Sequence, residues 1–277
     1  MSEVEAQQQD SPSLTEREVI DVEDRAQPRT PVIYEVVRRQ GEDELCRPLP
    51  SLWWSGVAAG LSISFSLLAQ GVLRSHLPVA GWRPLVEAMG YPIGFLMVIL
   101  SRQQLFTENT ITVVLPVMRE PNVRNLGRLA RLWSVVFLSN MTGTLISAVF
   151  CQFAPALTID TRDAMVEISR EMMSNPPSQM FFKGIPSGFL IAAMVWAIPS
   201  AETAKFHIVA LMTYLVSIGG FTHIVAGSME AFLLVTSGEL SASGMLAQFT
   251  LPVLLGNVVG GTLLFALISY AQVMHEI

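Results

Sequence analysis

A chain of 277 residues with 51% hydrophobic and only 14% charged side chains, against about 25% charged in an ordinary soluble domain, is built for lipid rather than water. The formal net charge of −6 says little about partners, because much of the acid falls in the N-terminal tail. Two cysteines, Cys46 and Cys151, are too few and too ill-matched for a disulfide framework or a metal site, so both read as free thiols, and no cofactor, metal or nucleic-acid partner is expected.

Residues 1–48 are rich in Glu, Asp, Gln and Pro and lack a sustained apolar stripe, which predicts a flexible tail with at most a short amphipathic helix around residues 32–39. No basic n-region precedes an apolar core, so no cleavable signal peptide is expected. Residues 49–277 form the transmembrane domain. Residues 52–73 carry no charge, and about twenty apolar residues suffice to cross a hydrocarbon core. Residues 84–100 continue in that style until Ser101-Arg102-Gln103-Gln104-Leu105-Phe106-Thr107-Glu108-Asn109 interrupts them, and residues 111–118 resume. Residues 132–157, 184–199 and 240–274 supply further spans, while 206–235 is interrupted by Gly219-Gly220-Phe221-Thr222-His223. The expected fold is an all-α membrane protein of six spans with the second and fifth broken.

The two halves echo one another. Phe106-Thr107-Glu108 pairs with Phe221-Thr222-His223, Asn140-Met141-Thr142-Gly143 with Asn257-Val258-Val259-Gly260, and Gly56/Gly60 with Gly184/Gly188. Three crossings followed by three similar ones imply an inverted repeat. Arginines at 38, 39, 47, 119, 124, 128 and 131 outnumber the basic residues of the other set of loops, which places both termini in the cytoplasm.

Breaks in a membrane helix expose backbone polar groups, so they belong where protein or a cavity surrounds them. A half-helix starting at such a break offers N–H groups and about half a positive charge to an anion. His223 is the one histidine deep in a span, and an ionisable group at that depth is a functional candidate. Asn140 and Asn257 need partners inside otherwise apolar spans, and the freed backbone of the breaks would supply them. Arg102 and Glu108 bracket the first break, and their pairing would make a gate. An enzyme is not expected, because no metal cluster, activated serine or acid pair accompanies His223.

Leu105-Phe106-Thr107-Glu108-Asn109, Gly220-Phe221-Thr222-His223 and the two Asn-x-x-Gly segments resemble the signature regions of the formate/nitrite transporter family, over roughly residue 52 to the C-terminus. The resemblance implies an aquaporin-like protomer with its own pore, assembled as a homopentamer in the lipid of the bacterial inner membrane. It implies conduction of formate, nitrite, hydrosulfide or related weak-acid anions. It also implies a central pore histidine at His223 with Thr107 near it, a hydrophobic constriction that includes Leu105, an aromatic of the outer constriction at Tyr91, and pore positions at Phe106, Phe221 and Thr222. The chain departs from the family pattern at Gln104, Glu108, Thr222 and Gly227, which makes it a divergent member. The alternatives are a neutral-solute pore of aquaporin type and a non-conducting scaffold whose tail recruits a partner.

Overall fold

The computed structural model describes residues 28–276 together with Thr15, Arg17 and Glu18; the remainder of the predicted tail lies outside the described residues. The described chain is all-helical. Helix α1 (Thr30–Cys46) starts on Pro31 in its first turn, where a missing N–H costs nothing, and ends before Arg47-Pro48. It runs well past the predicted residues 32–39, and it is docked rather than loose. Tyr34, Val37, Arg38, Gly41 and Leu45 are buried along one face, Gly41 lies so close to the Thr112 carbonyl that no larger residue fits, and Arg131 donates to the Leu45 carbonyl at 2.8 Å. Arg38 is tolerated in that face because its guanidinium is held by Glu35 at 2.8 and 2.9 Å and by Glu42.

Helix α2 (Leu49–His76) is the first long apolar element, followed by α3 (Arg83–Leu100), the short α4 (Val114–Arg119) and the 31-residue α5 (Val123–Phe153). Helix α6 (Ile159–Met173) then packs across α2, and the second half follows as α7 (Pro177–Ala197), α8 (Lys205–Ile218), α9 (Ile224–Thr236) and α10 (Ala242–Val273). Among the described residues, five helices are individually long and apolar enough to cross a membrane. The remaining predicted span, the fifth, is the pair α8 and α9, of 14 and 13 residues, which reaches that length only as two pieces in tandem. Helix α6 went unpredicted, since its apolar face (Ala164, Met165, Val166, Met173) is interleaved with Arg162, Asp163, Glu167 and Arg170.

Small residues set the packing. A methyl group on Gly60 would overlap the Asn140 carbonyl, one on Gly188 the Asn257 carbonyl, one on Gly143 the Val57 carbonyl and one on Gly260 the Ile185 carbonyl. Thus α2 meets α5 just as α7 meets α10, backbone against backbone, the contact that drives association where lipid removes the hydrophobic incentive. The outward surface is apolar, with Trp54, Phe153, Phe182, Leu211, Leu255 and Ile268 all exposed, as a surface facing lipid must be.

Candidate functional site: two cavities and the breaks between them

Both breaks are built by one device repeated 118 positions apart. Helix α3 closes with Arg102 N–H on Ile99 and Gln103 N–H on Val98; α8 closes with Gly220 N–H on Ser217 and Phe221 N–H on Val216. The residue at the turn is left-handed in each, Arg102 at φ 52° and Gly220 at φ 60°, the usual way to end a helix by recovering its last carbonyls. Asparagines from the long helices then hold the extended strand that follows. Asn140 donates to the carbonyls of Gly56 (2.9 Å) and Gln104 (2.8 Å) and accepts from Phe106 N–H (2.9 Å). Asn257 donates to the carbonyls of Gly184 (2.8 Å) and Thr222 (2.9 Å) and accepts from Ile224 N–H (2.9 Å). These two sets of bonds superpose Gln104-Leu105-Phe106 on Thr222-His223-Ile224. The repeat is therefore real, and its register differs from the Phe-Thr letter match by three residues: Leu105, not Glu108, is the counterpart of His223.

His223 is 1% exposed and stands at the N-cap of α9. Its Nδ1 accepts from the Ala226 N–H at 3.1 Å, so a neutral ring carries its proton on Nε2. That nitrogen lies 2.8 Å from Thr107 Oγ1 and donates to it, which leaves the Thr107 hydroxyl proton without an acceptor among the described residues. Phe95 packs edge-on to the imidazole at 5.0 Å, and Tyr91 packs on Phe95 at 5.2 Å.

Two cavities reach this layer from opposite ends of α3. The first, about 400 Å³, is lined by Gln40 and Glu44 of α1, Ile99 at the end of α3, Arg102, Glu108 and Lys205. The second, about 260 Å³, is lined by Glu87 and Tyr91 at the start of α3, Glu171 of α6, Thr222, His223 and Glu230. Tyr91, Phe95 and Ile99 stand four apart on one face of α3, so Phe95 sits midway between the cavities. Phe95, Leu105 and Thr107 are each fully buried and line neither cavity. The layer between the two is thus dry apart from one hydroxyl and one imidazole.

Several expectations are corrected by this geometry. Phe106 turns away from both cavities and packs on Trp133 and Phe137 of α5 at 5.7 and 5.5 Å, because the strand after the break alternates its side chains. Phe221 and Thr222 line the second cavity, with the Thr222 hydroxyl spent on the Met180 carbonyl at 2.8 Å. Three of the N–H groups at the start of α9 are already engaged: Asn257 takes that of Ile224, the His223 ring that of Ala226 and the His223 carbonyl that of Gly227. Arg102 and Glu108 share the first cavity but form no ion pair, since Arg102 is exposed and held in its left-handed turn; the cation that approaches Glu108 across that cavity is Lys205. Phe95, Glu230 and the Arg74 cluster escaped the sequence reading, although the rule that singled out His223, an ionisable group inside an apolar run, applies equally to Glu230.

A bundle of apolar helices with paired interrupted helices, asparagine-clamped breaks and opposed cavities defines a membrane transport protein of the channel type. The family model for formate/nitrite transporters matches residues 31–271, and the chain belongs to that family of transporters and channels. It is 48% identical over 254 residues to the inner membrane protein YfdC of Escherichia coli, covering 92% of this chain and 82% of that one. Among solved structures, an FNT family ion channel superposes with a TM-score of 0.74 at 23% identity, covering 88% of this chain and 98% of that one. A pentameric formate channel with formate bound superposes at 0.68 and 20% identity, covering 83% and 98%.

Proposed function

We propose that each protomer is a pore for small monovalent anions of weak acids, formate and nitrite foremost, in the bacterial inner membrane. The observation that carries the reading is a pair of opposed cavities separated by a buried layer, with the second cavity ending on His223, the His223–Thr107 hydrogen bond as the polar contact inside the layer, and Phe95 and Leu105 making the rest of it apolar. A bare anion does not cross such a layer cheaply, and a neutral acid does. The free Thr107 hydroxyl proton meets the permeant at the narrowest point, with His223 fixing its orientation. The family assignment and the fold shared with a formate channel support the same reading.

In this account the chain crosses six times, the α8–α9 pair making the fifth crossing, with α1 and both termini on the cytoplasmic side and five protomers assembled through the exposed apolar faces. Flux of formate, nitrite, hydrosulfide and glycerol into proteoliposomes tests it. Anion flux without glycerol flux is the expected result; glycerol alone would point to a neutral-solute pore, and no flux to a scaffold.

A further inference from the structure

The second cavity holds a carboxyl group to which the pore geometry gives no partner. Glu230 lines that cavity on α9, seven residues beyond His223 and on the same face, a rise of about 10 Å along the axis. It is 8% exposed, and among the described residues no hydrogen bond or ion pair engages it. The neighbouring carboxylates are held in ion pairs. Arg74 bonds Glu87 at 3.0 Å and grips Glu171 through both terminal nitrogens at 2.8 and 2.9 Å, and Arg83 lies 2.7 Å from Glu87. Lys183, the other cation lining the cavity, donates to Asn175 Oδ1 at 2.6 Å.

The groups facing Glu230 from the elements around it are therefore Arg74 of α2, Glu87 and Tyr91 of α3, Glu171 of α6, Lys183 of α7 and His223 at the head of its own helix. From α5 and α10 the neighbours of α9 are uncharged: Thr144 bonds Ser228 at 2.9 Å, and the Phe249 ring covers Gly227. Charged, Glu230 is an unpaired and almost fully buried carboxylate at the wall of the cavity, a costly state that also repels an arriving anion. Protonated, it is a neutral donor.

The state of His223 sharpens the point. With Nδ1 occupied by the Ala226 N–H and Nε2 donating to Thr107, the ring has no proton to give without first breaking its helix cap. We propose that Glu230 is the proton-binding site of the second cavity, and that it protonates the incoming weak-acid anion before the neutral acid reaches His223. The step balances: a proton from the aqueous mouth adds to the Glu230 carboxylate, the carboxylic acid passes it to an oxygen of formate, formic acid moves on, and the carboxylate is restored. This proposal rests on the pore reading above and adds the source of the proton.

Two readouts keep the ideas separable. In proteoliposomes, formate uptake is followed together with the accompanying alkalinisation, with pH set independently on the two faces. Wild type is expected to take up protons with formate, and Glu230→Gln to lose coupled uptake on the order of a hundredfold, the lower range for a positioned proton donor. Glu230→Asp, which keeps a titratable group, is expected to retain it in part. An unchanged rate of formate-coupled proton uptake in Glu230→Gln overturns the proposal. Independently of flux, infrared difference spectra of the purified protein should show a protonated-carboxyl band that grows on adding formate at fixed pH and is missing from Glu230→Gln. If wild type carries no formate, the pore reading fails, and acidification alone then decides: a band absent from Glu230→Gln upholds the proton site, and spectra that are identical in the two proteins refute it.

Discussion

Replacing Asn257 with Ala tests how the second break is held open. The amide makes three bonds to backbone groups, at 2.8, 2.9 and 2.9 Å, and two scales bound their worth. Three average interhelical hydrogen bonds in a membrane protein, at about 0.6 kcal/mol each, would total about 2 kcal/mol. Leaving the two break groups, the Thr222 carbonyl and the Ile224 N–H, buried and unsatisfied at about 1–3 kcal/mol each would cost about 2–6 kcal/mol. The second scale applies, because the carbonyl of Thr222 and the N–H of Ile224 belong to an interrupted helix and have no neighbouring turn to return to. Unfolding of the purified protein in mild detergent should therefore show a loss above about 2 kcal/mol, centred on about 4 kcal/mol, for Asn257→Ala. Asn140→Ala should give a similar loss, since its three bonds repeat the pattern. Thr142→Ala is the control: its hydroxyl bonds only the Leu138 carbonyl one turn back on an exposed face, and a change within about 0.5 kcal/mol is expected. Losses of about 2 kcal/mol or less for both asparagines, the total on the weaker membrane scale, would refute the clamp.

Arg102→Gly should stabilise the protein by about 1 kcal/mol, because it removes a side chain from the left-handed conformation that its counterpart Gly220 adopts freely; a destabilised variant would show that the guanidinium has a structural partner. Hydrogen bonds from Arg38, then Arg39, hold the Glu35 carboxyl at about 2, below its ordinary 4.5. The stabilisation of docked α1 is thus present above the ordinary value and lost as pH falls towards about 2. Glu35→Gln should lower the unfolding midpoint at neutral pH, with the gap to wild type closing on acidification; a gap independent of pH would contradict the ion-pair account. Native mass measurement in mild detergent should give a five-chain assembly, and a stable monomer would contradict the proposed oligomer.

Much of this was legible in the letters. The long helices declare themselves by runs without charge, and both breaks by the residues that interrupt those runs, Arg102 through Glu108 in one case and Gly219-Gly220 in the other. Asn140 and Asn257 could be assigned as scaffold because an amide inside an apolar span must bond something. The register of the repeat was not legible, because the property that repeats is a left-handed residue followed by an asparagine-clamped strand, and a left-handed Arg102 does not look like Gly220 in sequence. Helix α6 was hidden by its charged face, whose residues hold the mouth of the second cavity through Arg74 and Glu171. Phe106 was misplaced since its neighbour Thr107 faces the layer and a strand sends alternate side chains to opposite sides.

The central claim is that a small weak-acid anion crosses at the His223–Thr107 pair. Its most direct test is formate uptake by proteoliposomes between about pH 5 and 8, the range in which histidine chemistry is read, for wild type and for a correctly folded His223→Asn. The account predicts saturable uptake in wild type and a changed pH dependence or selectivity in the variant; formate uptake indistinguishable between the two at every pH would contradict it.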